Sequence, residues 1–371
     1  MSTIGCCLEH ANRRVFCQFI ALEYNPSIMQ ISSTALKALG VAAIIVAGGL
    51  VYWLTPTSGL PPEKVIQGTF DNLQNAQSFR TSSEAQLLLN YDAIVAKNPQ
   101  AGGIAALLPF SSSSPLTFSI EGAYDLTETE NPAFDQTMTF RMIQEDQKIE
   151  GAIQMIAKDN LQYVQLAKAP LWGFINLQPF ARKWIKIDPQ ALQKQAEQFG
   201  ADSFSASTPS FAEQMEKFKK AFGDEKLVKV SKVLREEDVE GVLSYHYEIQ
   251  PNAENLLRAL EEYVRETAEE EIEELWKPED RKRLVAILGS VKAELWVDKT
   301  KLLPSKAMVM IPFQDGKDNY GKMTITTLWK DFNVPVTIEA PASSVSIEEF
   351  VQSIFGPMPT STTPRVKPGR I

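Results

Sequence analysis

Cysteine and histidine are nearly missing from this chain, and their positions narrow its chemistry. The three cysteines, Cys6, Cys7 and Cys17, all fall in the first 17 residues. The rest therefore folds without disulfides, as a domain this large can, because it buries enough apolar surface on its own. Of the two histidines, His10 lies in the leading segment, and His246 alternates with Tyr245 and Tyr247 on what reads as the polar face of a strand. A lone strand histidine is ordinarily exposed or hydrogen-bonded. G-x-S-x-G, H-E-x-x-H, the P-loop and the glycine-rich dinucleotide fingerprint do not occur. No catalytic residue, no cofactor and no enzyme activity are therefore expected. The acidic run Glu269 to Glu274 reads as a solvated helix face, because carboxylates without His or turn glycines are poorly specified ligands, so no metal site is expected either.

Positive charge is also short. Of 37 basic and 46 acidic residues, three and two fall within the first 37, leaving 34 against 44 and a net charge of −10 beyond that point. Such a surface repels phosphate backbones and anionic headgroups, which argues against nucleic acid binding and flat electrostatic adhesion.

A long apolar run occurs once, at 35–54 (ALKALGVAAIIVAGGLVYWL). No charge follows Lys37 until Glu63, and Ala38 to Leu54 would span about 25 Å as a helix, near the lower limit for crossing a bilayer. Arg13, Arg14 and Lys37 precede it, while Tyr52 and Trp53 sit at its far edge. The expectation is a single transmembrane helix in a bacterial cytoplasmic membrane, with the N-terminus inside and the main domain extracytoplasmic. A cleaved signal peptide is the alternative, but Tyr-Trp-Leu-Thr-Pro-Thr is a poor cleavage site and no cysteine follows to take a lipid. Residues 1–34 read as cytoplasmic or, given Met29 as a second start, untranslated. Residues 55–61 read as a linker, 62–355 as the extracytoplasmic domain, and 356–371 as a disordered Pro/Thr-rich tail.

Inside that domain the periodicity changes from helical to alternating. Val65, Ile66, Phe70 and Leu73 form a helical stripe after Pro61-Pro62. From Leu116 through Phe118, Ile120 and Tyr124 the even positions are mostly apolar and the odd ones polar. Met138, Phe140 and Met142 repeat the pattern after Asn131-Pro132, and Ile149, Ile153 and Met155 continue it. Short connections imply antiparallel neighbours and one large curved sheet with an apolar face. Helical covers are read at 188–200, from the capping box Ser210 to Glu213, from Asn252 to Leu275, and at 279–288.

The element order, WIKID at 184–188, the hairpin ELWVDKTKLLPSKAMV at 294–309 and DFNVPVTIEAP at 331–341 resemble the LppX/LprG type of bacterial lipoprotein and, more distantly, LolA and LolB. The resemblance covers about residues 62–341. It implies an α+β fold in which a half-open barrel, a large curved antiparallel sheet, wraps over helices and encloses a cavity for acyl chains. Trp184, Asp188, Asp298, Pro304, Pro335 and Pro341 read as fold markers and carry no catalytic role. A spanning helix in place of a lipidated cysteine departs from the family.

The ligand-cavity candidates are Leu116, Phe118, Ile120, Met138, Phe140, Met142, Ile153 and Met155. A lid is read in the connection at 98–115, with Ile104, Leu107, Leu108 and Phe110 between Gly102-Gly103 and a serine run. The aromatic stretch at 171–180 reads as strand and turn. The expected function is a membrane-anchored binder of lipid or another hydrophobic ligand. The alternative is a ligand-free sensor or interaction domain with an envelope protein partner. Inward Leu, Met and Phe look the same in both.

Overall fold

The structure is a computed structural model that describes residues 61–97, 115–128, 131–144, 147–168, 181–189, 191, 217, 220–221, 227–267, 278–315, 318–347 and 349–350. The run at 35–54, the flanking 1–34 and 55–60, the 171–180 stretch, the tail, and the lid residues Ile104, Leu107, Leu108 and Phe110 lie outside them. Among the described residues no helix is long and apolar enough to cross a membrane.

The elements run α1 (Pro62–Gln74), β1 (Ser78–Leu89), α2 (Tyr91–Lys97), β2 (Leu116–Asp125), β3 (Ala133–Gln144), β4 (Gln147–Lys158), β5 (Leu161–Lys168) and β6 (Trp184–Ile187). They continue with β7 (Val228–Val233), β8 (Glu237–Val239), β9 (Val242–Pro251), α3 (Ala253–Thr267), α4 (Pro278–Ser290), β10 (Lys292–Asp298), β11 (Pro304–Asp315), β12 (Asp318–Lys330) and β13 (Val345–Ser346). The strands hydrogen-bond in the order β13-β6-β5-β4-β3-β2-β1-β12-β11-β10-β9-β7, with β8 joined to β9, so among the described residues the large sheet ends at β13 and β7 and is not closed. The expected meander is present from β2 to β6, whereas β13 returns parallel to β6.

The chain divides into two compact units. The first takes in the described residues within Met1–Asn72, Leu87–Pro115 and Lys220–Ile325. Its strand register sets Leu295 between Tyr247 and Ala307, and Ala293 between Ile249 and Val309. All six are buried, as are Val297 and Ile311, which alternation puts on the same face. Helix α3 supplies Leu256, Leu257, Ala259 and Leu260 to the buried set, the stripe its amphipathic sequence predicts. Helix α4 packs against α3, β9 and β11. Helix α1 buries Val65 and Ile66 and is pinned to the β10-β11 turn, where Asn72 Nδ2 donates to the Lys301 carbonyl at 2.8 Å. That turn is built by Asp298, whose Oδ1 accepts from the Thr300 and Lys301 amides at 2.7 and 3.0 Å, while Leu302 takes a left-handed φ of 50°.

The second unit takes in the described residues within Leu73–Gln86, Leu116–Lys219 and Thr326–Ile371. Its buried cluster is Ile156, Tyr163 and Ile338, with Ala133, Leu161, Trp184 and Val336 packed against it. The 331–341 segment thus acts as a strap over one face of β3 to β6. It is held by Ser78 Oγ donating to the Val334 carbonyl at 2.6 Å and by Lys158 Nζ donating to the Ile338 carbonyl at 2.5 Å.

Candidate functional site

All eight cavity candidates fall on the other face of these strands. Phe118 pairs with Phe140, which pairs with Gly151; Ile120 pairs with Met138, Met138 with Ile153, and Ile153 with Leu166. The next row runs from Gly122 through Gln136, Met155 and Val164 to Ile185. Met142 stands opposite Ile149, and alternation puts Leu116 on the side of Phe118. Directly opposed side chains stand close enough to form one continuous apolar row across four strands, from Ile120 to Leu166, while Gln136 interrupts the next row.

These rows are only partly covered. Met142 is buried, but Leu116, Ile120, Met138, Phe140, Ile153 and Met155 are half-buried, and Phe118 is 38% exposed. Gly151 has a local purpose: a Cβ there would run into the Phe140 ring, so bare backbone lets that ring lie down on the sheet. Further along the same face an aromatic group extends the rows. Phe79 stacks on Tyr124 at 4.9 Å between centroids, and Tyr124 meets Phe134 at 6.3 Å. Burial pushes the Tyr124 phenol above its ordinary value, partly opposed by a hydrogen bond with Thr81. Tyr124 carries the period-two signal and was legible on that ground, whereas Phe134 lies before the alternating series read at 137–142. Phe79 joins them through pairing distant in sequence.

On the strap side, three cations converge on one carboxylate. Glu150 lies 2.5 Å from Lys168, 3.1 Å from Lys148 and 3.4 Å from Arg141. Hydrogen bonds from Lys168 and then Lys148 hold its carboxyl down to about 2. The sequence pattern marks these only as polar positions.

In the first unit, His246 is not a free surface residue. Its Nε2 is 2.7 Å from Glu294 Oε2 and its Nδ1 is 3.6 Å from Glu237. Its ring stacks on Trp296 at 4.0 Å, the Trp296 indole donates to Glu237 at 2.8 Å, and Lys306 Nζ lies 4.2 Å from the indole ring. The cluster joins β8, β9, β10 and β11. Among the described residues, no cluster of three or more His, Cys, Asp or Glu is arranged to hold a metal. A separate cleft of about 630 Å³ in this unit, lined by Leu88, Asn90, Lys292, Met310 and Lys322 among others, contains none of the predicted residues.

The chain is similar in structure to LprF from Mycobacterium bovis, at 10% identity and a TM-score of 0.36, covering 76% of this chain and 96% of that one. It is also similar to the lipoprotein LppX from Mycobacterium tuberculosis, at 8% identity and a TM-score of 0.32, covering 74% and 96% respectively. LppX belongs to the group that the strand and turn signatures resemble. No family model matches the chain, and no curated protein does.

Proposed function

We propose that the chain is a membrane-anchored, extracytoplasmic binding protein for lipid or another hydrophobic ligand, held on the apolar face of β2 to β5. The observation that carries the reading is the incomplete burial of that face, where Phe118, Ile120, Met138, Ile153 and Met155 stand in register across the strands. Side chains of this size ordinarily bury 1.5 to 3 kcal/mol or so of apolar free energy each, and an acyl chain or other apolar ligand supplies the missing contact. The run at 35–54 supplies the anchor in this reading, and the connection at 98–115 the lid.

The test is mass spectrometry of organic extracts from the purified full chain. A copurified lipid or apolar molecule is expected with the natural sequence and not with Phe118→Asp/Met138→Asp, while the variant keeps its circular dichroism. A folded, ligand-free natural chain would discard the proposal.

The second reading, a ligand-free sensor or interaction domain, is favoured by one end of the same face. There Phe140 fills the space over Gly151, and Met142 is already buried.

A further inference from the structure

One polar side chain stands inside the apolar face of β2 to β5. Gln136 on β3 lies between Gly122 and Met155 across the ladders, with Phe134 and Met138 on the same face of its own strand. It is half-buried, and among the described residues its amide has no hydrogen-bond partner. Glutamines on the opposite face are paired: Gln154 donates to Asp135 at 3.0 Å and Gln165 to the Arg182 carbonyl at 2.8 Å. A ligand that covers the apolar face strips water from the Gln136 amide. Leaving that amide unpaired would weaken binding, so the ligand that fits here brings a hydrogen-bonding group to it.

A second uncharged group lies within reach. The Tyr124 ring folds back over Gly122, where an added Cβ would stand 3.0 Å from the phenol oxygen. Gly122 is directly across from Gln136, and opposed Cβ positions lie about 5 Å apart, so one ligand group can meet both side chains. The phenol shares a hydrogen bond with Thr81, and one hydrogen with two lone pairs leaves it capacity for another. Strand register puts no Asp, Glu, Lys or Arg on the described positions of this face from β2 to β6. A carboxylate or ammonium would lie there without a counter-charge, which burial penalises, whereas a carbonyl accepts from both the amide and the phenol.

We infer that Gln136, assisted by Tyr124, is the specificity-determining polar contact of this face and takes an uncharged carbonyl of an otherwise apolar ligand. This deepens the lipid-binding reading and rests on it: the apolar side chains hold the hydrocarbon, and the amide fixes where along them the carbonyl lies.

The test equilibrates the purified full chain with equal amounts of methyl palmitate and nonadecane, an alkane with the same number of heavy atoms, then repurifies and extracts it. The bound ester-to-alkane ratio, read by gas chromatography, should fall about three- to tenfold from the natural chain to Gln136→Leu, the loss of one hydrogen bond. Gln136→Met, closer in shape, should give the same fall, and in both variants nonadecane should be retained as before. Tyr124→Phe should lower the ratio by a smaller factor. Isotope-edited infrared spectra should place the bound ester carbonyl at lower frequency in the natural chain than in Gln136→Leu, a signature that a packing role would not move. Palmitate in place of the ester should be retained less. An unchanged ratio, a parallel loss of both probes in the two Gln136 variants, or stronger retention of palmitate would overturn this inference and leave the ligand face in place. Retention of neither probe by the natural chain would instead overturn the lipid-binding reading, and this inference with it.

Discussion

The two units treat the same kind of side chain differently. On β9, β10 and β11, Tyr247, Ile249, Leu295, Val297, Val309 and Ile311 are almost wholly buried, and α4 packs on that part of the sheet. On β2, β3 and β4, an equally regular series of Phe, Ile and Met stays half-buried, while the strap at 331–341 covers the opposite face. Both series obey the same alternation. The difference is what lies against each face, and it separates a core that works by exclusion from a surface that can exchange its contacts. Interiors at crystal-like density do not admit a ligand without a cost in packing, whereas a half-covered row loses little by acquiring one.

That contrast can be broken by substitution. Val297→Asp should have the largest effect, more than about 4 kcal/mol, because it places an unpaired charge in a closed core; denaturant unfolding should show no folded first unit. Leu295→Ala should cost about 2 to 5 kcal/mol by leaving a cavity, measured as a lower denaturation midpoint at unchanged slope. Gly151→Val should cost about 1 to 3 kcal/mol, since the new side chain must displace the Phe140 ring. Phe118→Asp should stay within about 0.5 kcal/mol in the ligand-free chain, as exposed positions do. A loss as large as that of Leu295→Ala would make the β2 to β4 face an ordinary core.

The smallest expected effect concerns acid. The folded-state value of Glu150 is about 2 against 4.5 for the free side chain, so it binds protons less readily when folded. Its contribution is complete above about pH 4.5 and is lost as pH falls toward 2. Glu150→Gln should therefore lower stability modestly above about pH 4.5, since the cations are solvent-screened, and the variant should converge with the natural chain as pH falls toward 2, flattening the acid limb. A parallel shift at all pH values would assign the residue a role in packing instead.

Several elements were legible because their signals are local. The alternation at 116–126 and 137–142 marks β2 and β3, Pro278 opens α4, and Asp298 builds its turn with amides two and three residues away. The helix read from Asn252 to Leu275 is described as α3 from Ala253 to Thr267, and the residues that follow lie outside the described set. His246 read as a polar strand position, but its carboxylate partners come from Glu237 and Glu294, nine residues before it and 48 after it. A sequence window cannot see such partners.

The sequence by itself determined which residues share a face, because side chains in a strand alternate with period two whatever the strand's neighbours are. It also determined the absence of disulfide chemistry beyond Cys17 and the acidic overall charge. Only the tertiary structure decided which face was covered. Period two cannot tell that the strap buries Ile156 and Tyr163, or that Met138 and Met155 remain half-open. The tertiary structure likewise decided that Arg141, Lys148 and Lys168 meet at Glu150. Strand register brings residues 141, 150 and 168 side by side, and register arises from pairings between segments that no local pattern encodes.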